Sequence, residues 1–191
     1  MGMKAMHLMR SVVAALAFSA LTAVAAQAEE GKKIDCADTD MQLEAQDFEF
    51  SCKDFSDPSA VSNAGKLSVE LLEAISEKQE QYIAVWDIRA IGSIYLLRKG
   101  FEEDIRSNFS SEELGEWHTG AAVAGFEYAE YVNRRSGSSE EECIAFRRQM
   151  TRRNGGYDNA GFGRIVIGIG CTTRERAVLV ESLKHLDAPG G

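Results

Sequence analysis

The residues best suited to chemistry in this chain are the arginines of its second half. Between Arg134 and Arg176 the chain carries nine basic residues, all arginine, against five acidic ones. Arginine presents a planar fork of donors that matches carboxylate and phosphate groups better than lysine does. The cluster therefore indicates either a binding face or ion pairs with the chain's own acidic half. The residues we expect in a binding face are Arg147, Arg148, Arg152, Arg153, Arg174 and Arg176.

His118 is the residue that best fits a catalytic role, as a general base oriented by a nearby carboxylate. It follows Trp117 and lies close in sequence to Glu112, Glu113 and Glu116. The chain has neither an HExxH metal motif nor a GxSxG nucleophile elbow. A single histidine on a predicted helix is more often structural or exposed. We therefore favour a protein without catalytic activity, and the alternative is a small hydrolase centred on His118.

The four cysteines predict two structural disulfides. An even number of cysteines in an exported protein is typical of a disulfide framework, and four allow three connectivities. We favour Cys36 with Cys52 and Cys143 with Cys171, because short loops close more easily than long ones. The chain lacks the CxxC pair of redox enzymes and the closely spaced ligand pairs of structural zinc sites. We therefore expect no metal and no cofactor.

The expectation of export comes from the first 28 residues. Lys4 and Arg10 precede an apolar run of about 15 residues, which is shorter than the ~20 that a spanning helix needs. Ala26-Gln27-Ala28 then forms a cleavage site before Glu29. The pattern predicts a signal peptide over 1–28 and a mature domain over 29–191, periplasmic or secreted and without a stable membrane anchor after cleavage.

The net charge of the chain limits the classes of partner. The formal net charge is −9 at pH 7. Such a chain should on average repel nucleic acid and anionic membranes. The positive segment within it still favours an acidic protein partner or an anionic envelope component, such as a peptidoglycan fragment or a lipid headgroup.

The elements that must position these residues are predicted to be helices. Apolar residues recur at helical spacing over 67–75 and 82–97, and capping boxes begin at Ser110 and Ser139. The segment 82–97 also fits a strand, because Tyr82, Ala84, Trp86 and Ile88 would then share one face. A final helix is expected from Thr172 or Thr173 to about Leu186.

We expect one convincing strand, over 164–170, with 48–52 or 82–88 as its hydrogen-bonding partner. The predicted fold class is thus mainly α with a small β-sheet (α+β), in a single compact disulfide-bonded domain. Within it, 29–57 is an acidic N-terminal segment, 58–186 a helical core and 187–191 a tail.

The junction from Gly168 to Arg174 reads as strand, glycine turn and helix start, which can hold an anion on free backbone N–H groups. It lacks the third glycine of a dinucleotide fingerprint and the lysine of a P-loop. The glycines are equally explained by crowding around Cys171.

Together these features predict an exported, non-enzymatic binding or interaction protein that uses an arginine-rich face. A third possibility, beside the hydrolase, is an envelope stress chaperone, which would suppress aggregation of its clients at acidic pH.

Overall fold

The computed structural model describes residues 31–45, 47–56, 65–78, 80–97, 99–109, 115–133, 140–152 and 161–189, with the side chains of 151 and 152 left out. Within these residues the chain forms ten strands and two helices. The strands are β1 (Lys32–Ile34), β2 (Gln42–Leu43), β3 (Glu49–Asp54), β4 (Gly65–Ser76), β5 (Gln81–Gly92), β6 (His118–Thr119), β7 (Glu127–Asn133), β8 (Glu141–Arg152), β9 (Phe162–Thr172) and β10 (Leu186–Asp187). The helices are α1 (Phe101–Asn108) and α2 (Ala177–Lys184). The predicted signal peptide and Arg153 lie outside the described residues.

The fold is mostly antiparallel β-sheet, so the predicted mainly α fold is wrong. Eight strands form one sheet in the order β1-β3-β4-β5-β9-β8-β7-β6, and β2 pairs with β10 in a second, two-stranded sheet. Every pairing is antiparallel. The four central strands of the large sheet, β4, β5, β9 and β8, are eleven or twelve residues long.

The helix prediction failed because both faces of these strands are buried. In β4, Leu71 packs into a core on one face of the sheet, and its neighbour Leu72 packs into a core on the other face. Such a strand does not alternate between apolar and polar residues, so its apolar run resembles a buried helix. The helical spacing of Leu71, Leu72 and Ile75 is therefore a coincidence of two buried faces, and Leu67 is exposed.

The segment 82–97 shows the same ambiguity, and here the strand alternative was right. Tyr82, Ala84, Trp86 and Ile88 all contact the same core, as residues on one face of a strand must. The predicted strand over 164–170 lies within β9, and it pairs with β5 on one side and with β8 on the other. Residues 49–52 lie in β3, which pairs with β4 instead.

Two other predicted helices are also strands. The stretch from Glu141 to Arg152 is β8, and the stretch after Ser110 contains β6, a tight turn and β7. Ala124 and Gly125 form that turn with φ of 50° and 80°. Positive φ at both central residues is the geometry of a hairpin turn that matches the twist of the strands. A C-terminal helix is found, as α2, but it begins at Ala177 and not at Thr172 or Thr173, and Leu186 lies in β10.

Two hydrophobic cores cover the two faces of the large sheet. The first core lies beneath the N-terminal segment, α2 and the residues after it, and its largest buried side chains include Met41, Phe126, Phe146 and Leu179. The second core includes Ile105 of α1 and a group of aromatic side chains. These aromatic side chains are Trp86, Phe101, Phe109, Trp117 and Tyr131.

The two disulfides pair as predicted. Cys36 bonds to Cys52, which fastens the N-terminal segment to β3. Cys143 bonds to Cys171, its direct cross-strand partner on the neighbouring strand. Each bridge is worth roughly 3 kcal/mol in the chain-entropy account of disulfides.

Candidate functional site

Arg147, the first of the predicted binding arginines, is an interior residue. Its side chain is 3% exposed. Its guanidinium donates to Glu127 from Nη2 at 2.6 Å and to Asp104 from Nη1 at 3.0 Å. It also donates to the carbonyl of Gly100 and lies over the ring of Phe101, 5.4 Å from its centroid. Arg147 therefore attaches α1 to the sheet, and its donors are occupied within the protein.

Arg176 is likewise paired inside the molecule. It lies just before α2, and its guanidinium contacts the carboxylates of Glu130 on β7 and Glu142 on β8. The Nη1 atom lies 2.6 Å from Oε2 of Glu130. This pairing fastens the start of α2 to the sheet. It agrees with the alternative that the arginines of the second half form ion pairs with the chain's own acidic residues.

Arg148 differs from its neighbours. Its side chain is half-buried and lies over the ring of Phe126, with the guanidinium carbon 5.7 Å from the ring centroid. Among the described residues, neither a carboxylate nor a carbonyl accepts a hydrogen bond from it. A partly desolvated guanidinium of this kind keeps the capacity to bind an acidic group.

The remaining predicted arginines lie apart. Arg174 is exposed, and its Nη2 donates to the carbonyl of Lys78 at 2.9 Å. Arg152 is the last residue of β8, opposite Phe162. Because β8 is a strand and not a helix, the consecutive residues Arg147 and Arg148 point to opposite faces of the sheet. The structure thus does not gather the predicted arginines on one face.

His118 lies at the edge of the sheet, in β6. Its side chain is 69% exposed, and Nε2 is 3.6 Å from a carboxylate oxygen of Glu116, itself 86% exposed. Water screens an ion pair in such a setting, so the carboxylate orients the imidazole only weakly. The pair does not form the desolvated base and orienter that the hydrolase alternative needs.

A buried charge cluster on the face of the first core was missed by the sequence interpretation. Asp87 accepts two hydrogen bonds from Arg164, at 2.8 and 2.7 Å, and another from Nε of Arg89 at 3.0 Å. Arg89 also contacts Asp40 at 2.5 Å and Glu70 at 3.5 Å. In the sequence, Val85, Asp87 and Arg89 stand at every second position, which places them on one face of a strand. This pattern indicates a charge cluster only if the segment is first assigned as a strand.

Within this cluster the pKa of Glu70 is raised. Burial of the carboxyl is the largest cause, which Arg89 opposes and which the nearby carboxylates of Asp87, Asp40 and Asp54 reinforce. Two contacts of the cluster reach other segments. Arg89 pairs with Asp40 in the N-terminal segment, and Arg164 donates to the carbonyl of Pro189 in the C-terminal segment. Its role in the described structure is to fasten both ends of the chain to one face of the sheet.

The predicted anion site after β9 is not open. Gly168 lies inside β9, where an added Cβ would come within 2.4 Å of the carbonyl oxygen of Ala84. The glycine therefore permits close packing between strands. The backbone N–H of Arg174 donates to Oγ1 of Thr172 at 3.1 Å, so this N–H is already satisfied.

Two further features have some of the characteristics of a ligand site, but neither can bind a ligand as the structure stands. A space of about 10 Å³ between α2 and the sheet is lined mainly by leucine, isoleucine and phenylalanine, and it holds about one water at most. Glu141, Cys143 and Cys171 place three ligand-type atoms within 4.8 Å of one another. The two cysteines are joined in a disulfide, so no thiolate is available to bind a metal.

No function can be assigned to this chain from similarity to known proteins. Among the described residues, no helix has the length and apolar character needed to cross a bilayer. Comparison with protein-family models, with curated proteins and with solved structures gives no match.

Proposed function

We propose that this chain is an exported, non-enzymatic binding domain that holds an acidic protein partner or an anionic envelope component through arginine. The observation that carries the proposal is the state of Arg148. Arg147, Arg164 and Arg176 each contact a carboxylate of this chain, whereas Arg148 contacts none among the described residues. Two disulfides support the compartment, because such bridges persist in oxidising environments outside the cytosol.

The test compares Arg148→Gln with Arg106→Gln. Arg106 is a matched control, since it is a partly exposed arginine on α1 whose guanidinium is already paired with Glu102 at 2.8 Å. Binding of polyglutamate, soluble peptidoglycan fragments and phosphatidylglycerol vesicles is measured by titration calorimetry and co-sedimentation at low salt. We expect one class of anion to bind the wild type, and to bind Arg148→Gln roughly tenfold more weakly, the effect of losing one charged hydrogen bond.

Equal binding by wild type and Arg148→Gln would remove Arg148 from the proposal. Absence of binding to every anionic probe would remove the anion-binding function as a whole. Arg147 is left unchanged in these variants, because glutamine there would leave Asp104 buried without its partner.

A second function, that of an envelope stress chaperone, is favoured by exposed apolar side chains near the end of β5. Ile91, Tyr95 and Leu97 are 43%, 45% and 67% exposed. Exposed apolar residues that lie close together are typical of interaction sites. Suppression of aggregation of an unfolded client, measured by light scattering at neutral and acidic pH, should weaken in Leu97→Ser if this function is correct. Failure of the wild type with several clients would argue against it.

A further inference from the structure

The strand β8 extends beyond its neighbour β7. Pairing between them ends where Glu127 lies opposite Arg147, whereas β8 continues along β9 until Arg152 lies opposite Phe162. The chain before Glu127 turns back at Ala124 and Gly125 into β6, which pairs with the other side of β7 and does not reach β8. Residues 148–152 of β8 therefore have a paired strand on one side only, within the described part of the chain. We call this stretch the open edge.

The backbone of Gln149 points out of this edge. On β7 the carbonyl of Tyr128 accepts a hydrogen bond from Gly120 on the β6 side. Backbone groups alternate in direction along a strand, so those of Glu127 face β8 and exchange hydrogen bonds with Arg147. Two residues further on, the N–H and C=O of Gln149 face the same direction as those of Arg147. No described residue accepts from that N–H or donates to that carbonyl.

Side-chain donors at the open edge are also unused. The Nε2 atom of Gln149 is buried and has no hydrogen-bond partner among the described residues. Arg148 has no acceptor there either, as described above. Buried donors without acceptors are rare, and each one calls for an explanation such as a missing ligand. Within the described part of the chain, the main-chain N–H and C=O of Gln149, its side-chain amide nitrogen and the guanidinium of Arg148 thus have no hydrogen-bond partner.

We propose that the open edge binds an extended acidic peptide, which adds as a strand beside β8. The proposal rests on the anion-binding function above and specifies its partner. A peptide backbone supplies both the acceptor and the donor that Gln149 needs, which a lipid headgroup or a lone phosphate does not. Carboxylates on alternate residues of the peptide then face Arg148, and charge complementarity selects acidic sequences.

The competing explanation is that Arg148 guards the edge. Charged side chains on edge strands prevent pairing with other chains, and natural proteins use them for this purpose. The two explanations predict opposite results. A guard predicts that removal of the charge promotes self-association, whereas a strand-binding edge predicts that it weakens binding of an acidic peptide.

The experiment uses the whole mature protein and a fluorescein-labelled peptide of sequence Ser-Val-Glu-Val-Glu-Val-Ser, with binding followed by fluorescence anisotropy. A second peptide replaces both glutamates by lysine. A third is methylated on the backbone nitrogens of two consecutive central residues, so that hydrogen bonding is impaired on both of its edges while its charge is unchanged. Protein variants are Arg148→Gln and the control Arg106→Gln.

We expect the acidic peptide to bind the wild type and Arg106→Gln alike, and Arg148→Gln at least tenfold more weakly. The lysine and N-methylated peptides should also bind at least tenfold more weakly. Hydrogen exchange followed by mass spectrometry should show protection at the Gln149 amide when the acidic peptide is bound. This readout reports strand addition independently of the Arg148 variant.

Two results would overturn the proposal in different ways. Equal binding of the acidic and N-methylated peptides, without protection at Gln149, rejects strand addition and leaves arginine-based anion binding intact. No binding of the acidic peptide, together with self-association of Arg148→Gln, rejects strand addition in favour of the guard; the polyglutamate titration then decides the anion-binding function separately.

Discussion

Asp87 and Arg164 form a buried ion pair on the face of the first core. Nε and Nη2 of Arg164 donate to the two carboxylate oxygens of Asp87, at 2.8 and 2.7 Å. The side chain of Asp87 is fully buried and that of Arg164 is 8% exposed. Arg164 also donates to the carbonyl of Pro189. The pair thus connects the centre of the large sheet to the last described residues of the chain.

Breaking this pair from one side should be costly. Arg164→Met leaves the buried Asp87 carboxylate with Arg89 as its one cationic partner among the described residues, and should lower the free energy of unfolding by about 3 kcal/mol. Urea denaturation followed by circular dichroism measures this. The control Lys184→Met breaks an exposed pair with Glu181 and should change stability by less than ~1 kcal/mol. Similar losses in both variants would contradict the burial argument.

The raised pKa of Glu70 makes stability depend on pH with a definite sign. Because the folded-state pKa lies above the ordinary value of 4.5, the ionised carboxylate costs the folded state stability. That cost is absent below the unfolded-state pKa and appears as pH rises through the folded-state pKa. The stability of the wild type relative to Glu70→Gln should therefore fall as the pH rises above the ordinary carboxyl pKa of 4.5.

The control for this measurement is Glu181, whose pKa is shifted in the opposite direction to that of Glu70. The pKa of Glu181 is lowered by its hydrogen bond from Lys184. Its contribution is present above the unfolded-state pKa and is lost as pH falls through the folded-state pKa. The stability of the wild type relative to Glu181→Gln should rise slightly with pH over the acidic range. If the difference for Glu70→Gln also rose with pH, the assignment of the Glu70 shift to burial would be wrong.

Gly168 should not tolerate a side chain. A Cβ there would lie 2.4 Å from the carbonyl oxygen of Ala84 and 2.5 Å from the ring of Phe146. Gly168→Ala should destabilise the protein by about 1–3 kcal/mol, the usual cost of overpacking. Gly100→Ala is the matched control, because its Cβ would meet its nearest neighbour at 3.9 Å. Thermal denaturation of both variants checks the difference, and a harmless Gly168→Ala would show that the strands can separate.

The two disulfides should differ in their response to a thiol reductant. Cys36 is partly exposed, whereas Cys143 is fully buried and Cys171 is 5% exposed. A thiolate must reach a sulfur atom to open a bridge, so the bond between Cys36 and Cys52 should be reduced first. Alkylation and mass spectrometry after mild reduction of the native protein would identify the modified cysteines. Earlier modification of Cys143 or Cys171 would contradict this order.

Sequence patterns predicted the disulfide pairing, the strand that contains 164–170 and the C-terminal helix. Each of these depends on features close together in the chain, such as loop length, a short β-branched run or apolar residues at helical spacing. The central strands were misread because their apolar residues serve two cores, and only the register across the sheet distinguishes such strands from helices. The helix prediction also placed Arg147 and Arg148 near each other around one axis, whereas the strand separates them.

What the sequence by itself determined is the chemistry that is available: many arginines within an acidic chain, four pairable cysteines and few histidines. What only the tertiary structure decided is which of these groups remain unused. The packing of strands and helices brings Asp104 and Glu127 to Arg147, Glu130 and Glu142 to Arg176, and Asp87 to Arg164, over long sequence separations. Charge composition carries no record of these pairings, because the Coulomb energy depends on distances that the fold alone sets. Arg148 is distinguished by the same cause, since the pairing of β8 with β7 stops at Arg147 and the fold brings no carboxylate of the described residues to Arg148.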